Sequence, residues 1–177
     1  MTGSKAKWYM VTLVGKDRTE IVSHVTAALY EAGGNLGETS MMRLGGNFTI
    51  MMMVEFTGRK KDLYDALSTV TDSMALHLHI DQIEGKLHQH LIPDVRISVY
   101  GADRAGIVSK VTTVLAEAGL NILDLESDVA GDKDKPLYIM HIEGVAGEGI
   151  ETLESALQIV KEQGVDAELV EIDTLIG

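Results

Sequence analysis

The chain has 177 residues, 45% of them hydrophobic, and no cysteine; this suits an ordinary folded protein and excludes disulfides, a thiol nucleophile and Cys-type zinc sites. With 27 acidic against 15 basic side chains the formal charge is −12, the wrong sign for gripping phosphates, so direct nucleic-acid binding is not expected. The start, MTGSKAKWYM, carries no long apolar segment, and no later run approaches the ~20 residues that span a bilayer, so a cytoplasmic protein is expected.

Residues 8–14 (WYMVTLV) form a short β-rich apolar run ended by Gly15, which predicts a strand. Asp17 follows at the expected N-cap of a helix. Ile21, Val22, Val25, Ala28, Leu29 and Ala32 then recur at helical spacing, and Gly33-Gly34 ends the helix. Residues 36–44 and 48–56 flank Gly45-Gly46-Asn47, which reads as a β-hairpin. Arg59-Lys60-Lys61 reads as the solvated start of a second helix, whose stripe is Leu63, Leu67 and Val70. Residues 76–83 alternate, with Leu76, Leu78 and Ile80 on one face and His77, His79 and Asp81 on the other, a strand with one wet side.

The order β-α-β-β-α-β is then repeated. Residues 15–35 (GKDRTEIVSHVTAALYEAGGN) and 101–121 (GADRAGIVSKVTTVLAEAGLN) share thirteen of twenty-one positions, which requires an internal duplication. The expected fold is therefore α+β: two ferredoxin-like βαββαβ units, each an antiparallel sheet with its helices on one face. The expected bounds are 8–84 and 95–174, joined by a linker over 85–94. In the second unit the strands are 95–100, 122–129, 137–142 and 167–172, and 130–136 (AGDKDKP) is an exposed, charged hairpin loop. Units of roughly 85–90 residues bury little core each, so pairing with one another or as a homodimer is expected.

The duplicated stretch is also the best candidate site. A helix N-terminus offers unpaired N–H groups and partial positive charge, which suit a carboxylate. Gly106 lacks a Cβ, so a ligand can approach the backbone. Asn121 offers a donor and an acceptor, and Arg104 can clamp a carboxylate. Asp103 suits an α-ammonium or a helix cap. In the first copy Thr19-Glu20 replace Ala105-Gly106, and Glu20 competes with a ligand carboxylate for space and charge, so the second copy is favoured.

Other patterns carry less. Ser23 and Ser109 lie within a helix with no His-Asp partners identifiable, so no catalytic residue and no enzymatic activity is expected. Gly101 and Gly106 have P-loop spacing, but Ile107-Val108 stand where Lys and Ser/Thr are needed. The His77/His79 and His88/His90 pairs suit zinc, nickel or copper, yet a wet strand followed by a polar linker explains them; no metal or cofactor is assigned. Alternating strand faces and core filling account for Met41, Met42 and Met51-Met52-Met53.

Asp103-Arg104-Ala105-Gly106-Ile107-Val108 and Ala118-Gly119-Leu120-Asn121-Ile122 resemble the core signature of ACT domains. Asp17-Arg18 with Ile21-Val22, and Ala32-Gly33-Gly34-Asn35-Leu36, match it more loosely. Two such units with little else resemble the glycine cleavage system transcriptional repressor group of tandem ACT proteins. The resemblance implies a non-enzymatic regulator that binds a small amino acid, glycine or serine, at an interface between ACT units. It implies a partner protein, a transcriptional regulator, rather than DNA. The ligand residues it implies are Asp103, Arg104, Ala105, Gly106, Ile107, Asn121 and Ile122. A secondary ligand or interface site falls on Asp17, Arg18, Thr19, Glu20, Asn35 and Leu36. The alternative is a ligand-free scaffold or an accessory regulatory subunit of a metabolic enzyme.

Overall fold

The computed structural model describes residues 5–85, 91–102, 106–132 and 135–172. Residues 86–90 of the expected linker, with His88 and His90, the loop residues Asp103, Arg104 and Ala105, residues 133–134, and the end of the second expected unit at 173–174 lie outside them. The chain divides into two compact units, Met1–His88 and Gln89–Gly177.

In the first unit the elements are β1 (Lys7–Lys16), α1 (Ile21–Glu31), β2 (Asn35–Leu44), β3 (Asn47–Phe56), α2 (Lys60–Ser73) and β4 (His77–Ile83). The sheet order is β2-β3-β1-β4, with every neighbour antiparallel. In the second they are β5 (Val95–Ala102), α3 (Ile107–Glu117), β6 (Leu120–Asp132), β7 (Lys135–Ala146), α4 (Ile150–Glu162) and β8 (Asp166–Glu171), in the equivalent order β6-β7-β5-β8. These are the two βαββαβ units that the periodicity predicts.

Each unit has its own core, and period-two alternation decides what enters it. Tyr9, Val11 and Leu13 of β1, and Ile50, Met52 and Val54 of β3, turn to the helices and are buried against Ile21, Val25, Leu29, Leu63 and Leu67. The second core repeats this with Val95, Ile97, Val99, Met140 and Ile142 against Val111, Leu115, Leu153 and Leu157. Each such aliphatic side chain contributes roughly 1.5–3 kcal/mol on full burial. On α2 the innermost stripe is Leu63, Leu67 and Thr71. Val70 only packs on its flank, because i, i+4, i+8 faces the sheet there; Thr71 satisfies its buried hydroxyl by donating to the Ser68 carbonyl at 3.2 Å.

Four local expectations change. Gly15 does not end β1, which continues to Lys16; a Cβ at Gly15 would lie 2.6 Å from Leu76 Cδ2, so the glycine admits a packed side chain rather than a turn. Asp17 is not the N-cap, a role that belongs to Glu20. The charged loop expected over 130–136 is mostly strand: Gly131 pairs with Pro136 and Asp132 with Lys135. Pro136 lies beyond Leu137, the last β7 residue paired with β5, where the ladder has a single neighbour. Of Met41, Met42 and Met51-Met52-Met53, only Met52 fills the core, whereas Met41, Met42 and Met51 are exposed. The Gly45-Gly46 turn has φ of 57° and 75°, the left-handed pair that a two-residue hairpin requires.

Helix ends explain two further residues. The Asp62 carboxylate accepts from the Arg59 backbone N–H at 3.0 Å and from its guanidinium at 3.0 and 2.6 Å, closing the start of α2. The Arg59 side-chain hydrogen bonds, followed by the backbone one, lower the Asp62 pKa from 3.8 to about 2. A depressed carboxylate pKa gives stability that is present above pH ~4 and is lost as pH falls through about 2. Asp62→Asn should therefore differ from wild type in urea midpoint at pH 6 and converge with it near pH 2; a constant difference across that window would contradict the assignment. At the other end of α2, Ala75 takes the left-handed C′ position (φ 54°) that Gly164 (φ 80°) fills after α4. Ala75→Gly should raise unfolding stability by roughly 0.5–1 kcal/mol, and a lowered urea midpoint would contradict this.

Candidate functional site

The loop between β1 and α1 is pinned to the hairpin. The Asp17 backbone N–H donates to the Gly46 carbonyl at 3.0 Å, and the Asp17 carboxylate is ion-paired with the Arg43 guanidinium of β2. Register places Arg43 opposite Phe48 and Met41 opposite Ile50, on the helix side of the sheet. Residues 17–23 with Met41, Arg43 and Phe48 therefore enclose an open groove of about 570 Å³. That volume falls within the range of small-molecule sites. Its floor is apolar, and its rim carries two cations, Arg18 and Arg43, and two anions, Asp17 and Glu20.

Glu20 starts α1 from a left-handed conformation, φ 71° and ψ 0°, and no side chain caps the helix. Its carbonyl accepts from the His24 backbone N–H at 3.0 Å, Ser23 Oγ at 2.9 Å and His24 Nδ1 at 2.8 Å. The Ser23 hydroxyl is thus held by the turn. The N–H groups of Ile21, Val22 and Ser23 precede the first intrahelical bond, and their residues line the groove. An anion placed there meets these donors and the positive end of the helix.

The second copy repeats the backbone without the side chain. Gly106 starts α3 at φ 86° and ψ 3°, again with no side-chain cap, and its carbonyl accepts from Lys110 N–H at 3.0 Å. Among the described residues, a Cβ built on Gly106 would meet nothing within 4 Å. The glycine is used for its positive φ and puts no side chain of its own at the helix start. Glu20 adopts the same conformation with a Cβ, which costs of order 1–2 kcal/mol.

The structure separates the remaining expected residues. Helix α3 has 11 residues, about 16 Å of rise, with Gly106 at one end and Asn121 beyond the other. Asn121 is an exposed residue of β6 paired with Val145, and Ile122 is half-buried opposite Gly144. Asn35 and Leu36 hold the same places on β2, opposite Glu55 and Val54, and neither lines the groove. The hairpin residues that do reach it, Met41 and Arg43, lie six and eight residues further along. Their counterparts in the second copy are Ser127 and Val129, opposite Met140 and Tyr138. Neither counterpart is a cation.

Among the described residues the histidines form no metal-binding cluster. His79 Nε2 lies 2.7 Å from Asp81 Oδ2, and Lys60 Nζ lies 3.4 Å from Asp81 Oδ1. These partners, the His79 hydrogen bond first, hold the Asp81 carboxyl below its usual range. Among the described residues no group of three His, Asp or Glu is placed to hold a metal ion, and no helix is long and apolar enough to cross a membrane.

Comparison with known proteins agrees with this architecture. ACT domain models match residues 8–81 and 95–162. The UPF0237 protein YjhC of Lactococcus lactis is 36% identical over 72 residues, covering 40% of this chain and 83% of that protein. A crystal structure of an unknown protein from Galdieria sulphuraria superposes with a TM-score of 0.76 at 26% identity, covering 96% of this chain and all of that one. A protein provisionally named as a glycine cleavage system transcriptional repressor superposes at 0.67 with 19% identity, over 97% and 100% of the two chains, a likeness of fold. Both halves of this chain match, in the order and with the sheet topology that the duplication predicts, and the protein belongs to the ACT-domain family, with two ACT domains in tandem.

Proposed function

We propose that this protein is a non-enzymatic regulator that binds a small amino acid, glycine or serine by preference, and thereby modulates a partner protein, a transcriptional regulator. The observation that carries this reading is the duplicated helix start: Glu20 and Gly106 both take the left-handed conformation, and among the described residues neither start has a side-chain cap. A ligand α-carboxylate suits the first-turn N–H groups of such a start. The second helix start is the principal site. In the first groove both features that would receive a carboxylate are answered internally, Arg43 by Asp17 and the helix start by the charge of Glu20.

Binding at an interface between ACT units is supported by the placement of Gly106 and Asn121 at opposite ends of α3. Gly106 starts α3, whose 11 residues rise about 16 Å, and Asn121 lies beyond its other end. A ligand touching both kinds of residue takes its helix start from one unit and its Asn from another. Ligand binding then biases how units, or a unit and a partner, associate, to the extent that its affinity differs between the two states. The net charge of −12 favours action through a protein over contact with phosphates.

A thermal-shift screen of the full chain against the twenty amino acids tests the reading. A ligand that binds only the folded state at about 100 times Kd stabilises by roughly 2.7 kcal/mol. Stabilisation confined to glycine, serine or a close relative is expected. No shift with any amino acid, together with an amino-acid-independent complex in pull-down, would replace this reading with a ligand-free scaffold.

A further inference from the structure

The two units differ on the sheet face that turns away from the helices. In the first, Met10 pairs across the strands with Met53, and Thr12 with Met51. At the same positions of the second, Arg96 pairs with Glu143 and Ser98 with His141. There the face is satisfied from within: Arg96 Nη2 lies 2.5 Å from Glu143 Oε1, Ser98 Oγ lies 3.0 Å from His141 Nδ1, and the His141 ring meets Tyr100 edge-on. In the first unit methionines replace the ion pair, and Met51 and Met42 remain 47% and 58% exposed. Charge and imidazole lie at the strand ends and along the β4 edge, on Lys16, Glu55, His77, His79 and Asp81.

The geometry points to this methionine-rich face as a homodimer interface, docking on the same face of a second copy of the chain. An apolar centre with a polar margin is the anatomy of a protein interface. The centre offers no charge with which to select a foreign partner, whereas a two-fold contact needs only self-complementarity. Four strands at about 4.8 Å spacing and about ten residues at 3.4 Å rise give roughly 600 Å² per face. Two faces bury roughly 1,200 Å², the lower end of what specific interfaces use. Two twisted sheets also match one another, stacking about 10 Å apart with interdigitated side chains. Methionine suits such a surface because its flexible thioether fills irregular gaps.

The second unit supplies the test. Met10→Arg with Met53→Glu places on the first face the pair that the second face already carries, so the fold has a precedent for it. Sedimentation of the full chain from about 1 to 100 µM should show a reversible dimer for wild type. The chain's single tryptophan, Trp8, lies on β1 beside this face, and its emission should shift over the same concentrations. The double variant, with folding verified by circular dichroism and urea midpoint, should be monomeric with constant emission, a loss of dimer affinity of at least 100-fold. His141→Glu on the second unit should leave the dimer intact. A wild-type monomer at every concentration would overturn the proposal. So would a dimer that the double variant leaves unchanged, which would place the contact elsewhere, for example along the exposed β2 edge.

Discussion

Gly144→Ala should destabilise the second unit by roughly 1–3 kcal/mol, the usual cost of forcing a methyl group into a closed site. Gly144 is buried in β7, and an added Cβ would lie 2.4 Å from the Asn121 carbonyl oxygen and 3.0 Å from Leu120 Cδ1. The backbone oxygen has no rotamer through which to retreat, so the first residues of β6 must move. The ladder already changes register there, between Ile122 and Asp124, and the Gly144 carbonyl accepts from Asp94 N–H at 3.0 Å. The equivalent position in the first unit, opposite Leu36, is occupied by Val54 and is fully buried, so the close approach belongs to the second unit. Circular dichroism should therefore report a weakened transition while Trp8 fluorescence, which reads the first unit, keeps its midpoint. Unchanged stability, or a loss seen equally by Trp8, would contradict this.

The second large effect concerns charge at the helix start. Gly106→Asn and Gly106→Asp add side chains of nearly the same shape, and both tolerate the left-handed backbone better than other residues. They differ by one negative charge beside the three N–H groups that precede the first intrahelical bond. Gly106→Asp should weaken glycine or serine binding by at least about tenfold relative to Gly106→Asn, a difference of about 1.4 kcal/mol. Glu20→Gly runs the comparison in reverse. It removes a strained Cβ and an anion from the first groove, so it should raise stability by about 1 kcal/mol and leave the principal affinity within a few-fold. Equal binding by the Asp and Asn variants, together with a large gain in Glu20→Gly, would move the principal site to the first copy.

The fold was legible because two independent periodicities agreed with an internal repeat. Val11, Leu13, Ile50 and Met52 alternate as strands do, and Ile21, Val25 and Leu29 recur as a helix does. The misread places are those where one residue type serves two purposes. Gly15 looked like a stop because glycine commonly is one, yet it accommodates Leu76. Gly-Asp-Lys-Asp-Lys-Pro looked like a loop by composition, although antiparallel pairing carries the strands through Gly131 and Pro136. Asp17 looked like a cap because the left-handed step at Glu20, which delays the helix, leaves no mark in a residue that is not glycine.

The candidate site was half legible. The helix starts stood out in the duplication, and the contrast of Glu20 with Gly106 was visible directly. Met41 and Arg43 were not, because a one-residue change of register sends every side chain of a strand to the opposite face. The irregularity between Leu36 and Thr39 makes that change in β2, placing Met41 and Arg43 over the groove and Met42 on the outer face. A hairpin read without the bulge assigns these residues wrongly.

The amides of Ile107, Val108 and Ser109 precede the first intrahelical bond of α3, which runs from Lys110 N–H to the Gly106 carbonyl, so they should exchange readily in the free protein. Hydrogen–deuterium exchange of the full chain, with and without saturating glycine or serine, therefore reports directly on the central claim. Slowed exchange at Ile107, Val108 and Ser109, with a smaller change at Ile21, Val22 and Ser23, is the predicted result. Unchanged exchange at all six amides under saturating ligand would contradict it.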